Sequence, residues 1–329
     1  MPPSDFRVNV RKRANWRWIE LLPWICFVAF YFLFESRLAL GNTVLIMVLF
    51  TLSLDLVMGY TGVATLGHAA FYGVGAYAAG LLTVAGWGEP ISGLVLAGFA
   101  GAILAVVTGL MLLHLHGNTL LMLTLAILMM LYEGANKWTR VTGGDDGLQG
   151  VAAAPIFGLF EFDLRGHTRY WYALIVLFAL FLICRRIVHS QFGLALIGIR
   201  ENTNRMRAIG APVRRHLVVI YTIAGAMAGV AGGLSAHSTG FVGLDVLGIA
   251  LAANVLVMLV LGGAGRLYGA IVGAVAYVVL HHFASNLNPF HWMFVVGFAL
   301  ILVVRFGRGG ILGLLDRTLA LIRARMNRT

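Results

Sequence analysis

Long apolar runs separated by short polar ones set the rhythm of this chain. They cover Trp18 to Phe34, Gly41 to Met58, His68 to Ala85, Ile91 to Leu113, a fifth run from the His114–Asn118 turn to about Tyr132, and Tyr170 to Cys184. Four more follow: Leu217 to Ser235, Leu247 to Leu261, Tyr268 to Phe283 and His291 to Val304. A bilayer core needs about 20 helical residues, so runs this long and continuously apolar predict membrane helices. The expected fold is all-α, a polytopic helical bundle of about ten transmembrane spans in a single transmembrane domain, residues 1–329. Several runs in the second half are nearer 15 residues, which predicts short, tilted or broken helices in Gly-rich flanks. The third run carries Ala69, Ala70, Gly73, Gly75, Ala76, Ala78, Ala79 and Gly80, small residues that let helix backbones approach closely in lipid.

The polar segments orient the bundle. Arg7, Arg11, Lys12, Arg13 and Arg17 precede the first run, which resembles a signal sequence until Glu35-Ser36-Arg37 closes it with no small-x-small cleavage site. An uncleaved first span with its N-terminus inside is expected. Between the sixth and seventh runs, Arg185 to His216 holds seven arginines against one acid, Glu201. Each charge in hydrocarbon costs roughly 3 kcal/mol on insertion scales, so this segment lies outside the bilayer, and its arginines mark it as cytoplasmic. Ten crossings then place the basic tail, 305–329, inside as well. Only Arg37, Lys137, Arg140, Arg165 and Arg169 fall outside, and the other 19 of 24 basic residues face the cytoplasm.

Composition narrows the chemistry. At 60% hydrophobic and 11% charged residues, with a mean hydropathy of +0.89, the chain is far from the roughly 25% charge of soluble domains. A net charge of +11 would suit nucleic acid, but the excess sits beside apolar spans, where topology and anionic membrane lipid account for it. The only lysines, Lys12 and Lys137, close no phosphate-binding Gly-x-x-x-x-Gly-Lys loop, so nucleotide hydrolysis would belong to a partner. There is no His-Glu-x-x-His pair and no Gly-x-Ser-x-Gly elbow. His281-His282 and His114-x-His116 point to different sides of a helix, and Cys26 and Cys184 lie in apolar runs. No catalytic residue, cofactor or metal is expected.

Three polar residues interrupt apolar runs: Asp55, His68 and Asn254. Asp55 reads equally as a path-lining acid or as a cap of the Gly59-Tyr60 turn. His68 and Asn254 read as path residues or as interhelical hydrogen-bond donors. In the basic segment, Arg200 to Ile209 predicts a helix of about three turns, closed by Gly210 and Pro212, with Glu201 and Arg205 four apart. Such a helix could lie on anionic lipid or dock on another protein.

At this point the motifs carry a resemblance. Gly59-Tyr60-Thr61-Gly62 with Leu66-Gly67-His68-Ala69-Ala70-Phe71-x-Gly73-x-Gly75-Ala76-Tyr77 resembles the signature of the LivM-type permease subunits of bacterial branched-chain amino-acid ABC importers. Three more blocks follow in order: Thr142-Gly143-Gly144-x-x-Gly147-Leu148-x-Gly150, Arg200-Glu201-Asn202 with Arg207-Ala208-x-Gly210, and Leu261-Gly262-Gly263-x-Gly265-x-x-x-Gly269. The pattern departs at Arg205-Met206, Arg266 and Ala270. The resemblance implies a permease in the bacterial inner membrane that moves branched-chain or other small hydrophobic amino acids inward. It implies as partners a second permease, favouring a paralogue, two cytoplasmic ATP-binding subunits and a periplasmic solute-binding protein. Related permeases take urea, short amides or other carboxylates, and an ion-coupled secondary carrier is the rival class. Under the resemblance, 200–210 is a coupling helix that engages the ATPase through Arg200, Glu201, Met206, Arg207, Ile209 and Gly210. Asp55, His68, Gly73, Gly75 and Asn254 would lie on the translocation path or at the permease interface. With the native cysteines replaced, a cysteine at Gln149 should react with an impermeant maleimide in intact cells and one at Ser190 should not. The reverse pattern would overturn the ten-span orientation.

Overall fold

The computed structural model describes residues 18–115, 117–155 and 166–287, with scattered positions between 294 and 314. Among the described residues its longer helices are α1 (Leu22–Leu33), α2 (Leu38–Leu54), α3 (His68–Val84), α4 (Pro90–Leu112), α5 (Asn118–Lys137), α6 (His167–Val188), α7 (Gln191–Glu201), α8 (Thr203–Ala208), α9 (Val213–Thr239), α10 (Ile249–Gly262) and α11 (Leu267–Leu287). The tenth apolar run and most of the basic tail fall largely outside the described residues. Among the described residues, six helices are long and apolar enough to cross a membrane: Glu35–Gly59, which contains α2, together with α4, α5, α6, α9 and α11 through Asn286. Two shorter apolar helices, α1 and α10, join them. The chain is an all-α polytopic membrane protein.

Local signals explain where the helices start and stop. Pro90 opens α4, where a missing N–H is harmless. Ser190 caps α7 by accepting from the Gly193 N–H at 3.3 Å. The break expected in the second half falls after α9. Gly240 takes φ +70°, a short turn Leu244–Leu247 follows, and only then does α10 begin. α10 is consequently 14 residues long, and at 1.5 Å per residue it covers about 21 Å, less than the ~30 Å of a hydrocarbon core.

α2 and α9 are mostly buried and form the centre, while α4, α5 and α6 present large apolar side chains outward, among them Phe99, Met122, Met130 and Ile175. Between apolar helices in lipid there is little hydrophobic gain, so close van der Waals contact must hold them. Glycine supplies it in two seams. Where α3 and α4 cross α9, a Cβ on Gly75 would lie 2.2 Å from the Gly229 carbonyl oxygen, one on Gly101 2.4 Å from that of Gly225, and one on Gly232 1.9 Å from that of Tyr72. Where α10 meets α11, a Cβ on Gly262 would sit 1.8 Å from the Gly269 carbonyl oxygen. These are backbone-on-backbone crossings.

The connections sort into two ends, as an alternating chain requires. At one end lie the turn after α2, the α4–α5 turn, α7 and α8, and the α10–α11 turn; there Arg185 also pairs with Glu20 at 2.8 Å. At the other, Leu148 pairs backbone to backbone with Val242, the Ala154 N–H donates to the Gly88 carbonyl at 2.7 Å, and His167 lies 3.3 Å from Glu35. The Thr142–Gly150 block belongs to this second end. A Cβ on Gly147 would meet Phe241 at 2.5 Å, so the loop lies tightly on the end of α9.

Replacing Gly75 with Leu should therefore drive α3 from α9, an overpacking that costs about 1 to 3 kcal/mol or more. Loss of the monodisperse peak in fluorescence-detected gel filtration is the expected readout. Gly134→Ala, at a glycine whose added Cβ meets nothing within 4 Å, should run like the parent.

Candidate functional site

The chain leaves α2 through a wide turn of π-helix, Asp55–Gly59, a local unwinding often found at functional positions. This turn aims the Asp55 carboxylate across the bundle. Asp55 is fully buried, and its Oδ1 accepts the Gly265 N–H at 2.7 Å from the turn between α10 and α11. Its other carboxylate oxygen has no hydrogen-bond partner among the described residues. On the opposite side, Arg200 at the end of α7 donates from Nη1 to the Gly59 carbonyl, and its charge acts on Asp55 electrostatically. One basic side chain thus connects the polar loop to two membrane hairpins.

Two glycines make the junction possible. A Cβ on Gly59 would fall 1.9 Å from Asp55 Oδ1 and 2.4 Å from the Gly265 nitrogen. Gly265 has φ +84°, a conformation L side chains rarely adopt, and its Cβ would lie 2.6 Å from Arg200 Nη1. Beside the junction is a cavity of about 330 Å³, lined by Thr61, Gly62, Asn118, Arg200, Thr203 and apolar residues including Leu121 and Leu217. One cation, two hydroxyls and an amide against an aliphatic wall can accommodate a small polar molecule with an apolar side.

The basic loop differs from the single three-turn helix expected over 200–210. Arg200 and Glu201 finish α7, and the backbone turns extended at Asn202, φ −157° and ψ 98°. The Asn202 side chain then accepts the Arg205 N–H at 2.9 Å and starts the separate, six-residue α8. The reason is the asparagine itself, which satisfies a free N–H at a helix start better than it serves a helix interior. The break separates Glu201 from the helix that carries Arg205, and among the described residues neither forms an ion pair. α8 ends in a Schellman motif: Gly210 at φ +83° donates to the Arg207 carbonyl and Ala211 to that of Met206, each at 3.0 Å. Met206 folds back, its sulfur 2.8 Å from where a Cβ on Gly198 would stand. Glu201, Arg207, Ile209 and Gly210 are exposed, and Ile209 keeps 71% of its surface open.

The five path candidates separate. His68 is buried, its Nε2 paired with Ser53 Oγ at 2.9 Å and its ring stacked on Phe50, with centroids 5.7 Å apart. Gly73 packs on Leu247, 2.3 Å from the position of its Cβ, and Gly75 packs on Gly229, so both are spent on contacts within the chain. Asp55 belongs to the junction. Asn254 alone of the five is half-exposed, on α10 beside exposed Ala250 and Ala253. Sequence reading missed the contact of Arg200 with Gly59 and the role of Gly265, although both residues stand in the quoted motifs. It also missed His237, buried on α9 with neither ring nitrogen bonded among the described residues. No group of three His, Cys, Asp or Glu that could hold a metal occurs among the described residues.

Breaking the junction should loosen α7. Arg200→Gln and Gly265→Ala should each lower the thermal midpoint by a few degrees, roughly 1 to 2 kcal/mol, whereas Arg205→Gln, at an exposed side chain outside the junction, should not. Equal effects of all three would leave Arg200 without a special role.

Comparison with known proteins adds the family. Residues 37–304 match the family described as branched-chain amino acid transport system / permease component. The chain is 28% identical to the high-affinity branched-chain amino acid transport system permease protein LivM of Escherichia coli, over 80% of this chain and 67% of that protein. It is 27% identical to the Salmonella typhimurium protein of the same name, with the same coverage. Against a probable LivM of Methanocaldococcus jannaschii it is 25% identical, over 70% of this chain and 76% of that one. No solved structure matches the chain.

Proposed function

This chain belongs to the family of branched-chain amino-acid transport system permease components, and on that premise we propose that it forms one half of the membrane path of an ABC importer in the bacterial inner membrane. Its cargo in this reading is a branched-chain or other small hydrophobic amino acid. A second permease, favoured to be a paralogue, completes the path; two cytoplasmic ATPases drive it, and a periplasmic binding protein delivers the solute. The termini and the Arg185–His216 segment face the cytoplasm. Asn254 and the small exposed residues around it on α10 face the second permease.

The observation that carries this reading is the Arg200 junction. The end of α7 and α8 with its closing turn present Glu201, Arg207, Ile209 and Gly210 to a partner, and Arg200 ties the end of α7 to Gly59, beside the Asp55 carboxylate that accepts from Gly265. A push on α8 at ATP-driven closure would reach the ends of α2 and of the α10–α11 hairpin without crossing a flexible linker. Exposed apolar Ile209 is at home in the groove of a partner and is poorly placed in water.

The test is uptake into proteoliposomes holding the two permeases and the ATPases, supplied with binding protein. Radiolabelled leucine should accumulate only with ATP inside, and a proton or sodium gradient alone should move none; gradient-driven uptake would favour a secondary carrier. Glu201→Lys or Gly210→Leu should cut uptake at least tenfold while ATPase subunits still hydrolyse ATP. Normal uptake by both variants, with the ATPase bound, would reject the coupling role.

A further inference from the structure

Where α8 hands the chain to α9, basic and aliphatic side chains share one groove of about 650 Å³. Arg207, Arg214 and Arg215 line it together with Leu110 of α4 and Val218 and Val219 of α9, and no Asp or Glu does. Arg214 is held in place, since its Nη2 donates at 3.0 Å to the Leu110 carbonyl, one of those left without an intrahelical partner at the end of α4. Arg207 and Arg215 are exposed, and neither forms an ion pair or side-chain hydrogen bond among the described residues. From this cluster an apolar stripe runs down α4. Met111, Val107, Ile103, Phe99 and Val95 recur every fourth residue, each at least 49% exposed. Sixteen residues of helix carry the stripe about 24 Å along α4, further than the ~15 Å depth of one leaflet's hydrocarbon.

We propose that this groove is a binding site for an anionic phospholipid. The phosphate sits on the three guanidinium groups, whose planar donor forks match phosphate oxygens. One acyl chain passes Leu110 and Val219 and follows the stripe. A free anion would use the arginines and leave the stripe idle, and an acidic segment of a protein would have no use for an apolar track that runs toward the other end of α4. Only a ligand with a charged head and a long apolar tail uses both halves. Because Arg207 belongs to α8 while the other groups belong to α4 and α9, bound lipid fastens α8 against the bundle. The leaflet, but not the site, rests on the orientation proposed above.

The experiment is native mass spectrometry and vesicle exchange on the full chain, with phosphatidylglycerol and phosphatidylcholine as probes. Phosphatidylglycerol should be retained over phosphatidylcholine. The pair Arg214→Gln and Arg215→Gln should weaken that retention roughly tenfold or more. The charge-matched pair Arg186→Gln and Arg205→Gln, at exposed arginines outside the groove, should change it less than about twofold. If the first pair fails to purify, Arg207→Gln asks the same question with one charge. Leu110→Ser with Val219→Ser should weaken lipid but leave inorganic phosphate binding unchanged. Equal loss in both arginine pairs would mean diffuse attraction and overturn the site. Full displacement of the lipid by inorganic phosphate or glycerophosphoglycerol at equal concentration would make it a free-anion site. Unchanged lipid retention with lost capture of the ATPase subunit would make it a protein docking surface, and would equally overturn the proposal.

Discussion

Backbone-on-backbone contact through glycine is the condition on which the rest of this bundle depends. α9 touches α3 through Gly75, Gly229 and Gly232 and touches α4 through Gly101 and Gly225, and at each crossing a single added carbon would stand within 2.4 Å of a carbonyl oxygen. In hydrocarbon no hydrophobic gain rewards packing one apolar helix on another, so contact density must do so. The same device joins α10 to α11 at Gly262 and Gly269. With the centre fixed in this way, larger side chains are free to face outward on α4, α5 and α6.

A tightly crossed centre gives the polar junction a rigid frame. Asp55 is a buried carboxylate and carries the full desolvation penalty of its position. The Gly265 N–H and the nearby charge of Arg200 offset only part of it. Both depend on glycine at 59 and 265, because any side chain would occupy the space through which these groups meet. The chain belongs to a permease family, and under the function proposed above a loop anchored at Arg200 would be a mechanically direct way for a partner ATPase to act on α2 and α10. The lipid proposed for the arginine groove would add a third component at α8 itself, through Arg207, and not at the junction.

The apolar runs and the placing of arginine determined the fold class. Spans can be read from a single chain because a bilayer demands about 20 apolar residues from each one, whatever its neighbours. The glycine that closes the basic helix, Gly210, was legible for a similar reason, since caps act within a few residues. The tertiary structure decided what each polar residue touches. Nothing in the spacing of Asp55, Arg200 and Gly265 brings them together, because 145 and 65 residues of chain separate them and only the crossing of three hairpins closes the gap. The small-residue face of α3 was recognisable as a packing face, but whether Gly73 and Gly75 met another subunit or their own chain depended on where α9 and Leu247 lay. The basic loop shows the boundary between the two within a few residues. Its charge and its closing glycine could be read locally, yet its division at Asn202 became visible only in the structure, where that side chain caps the Arg205 N–H and does not continue a helix interior.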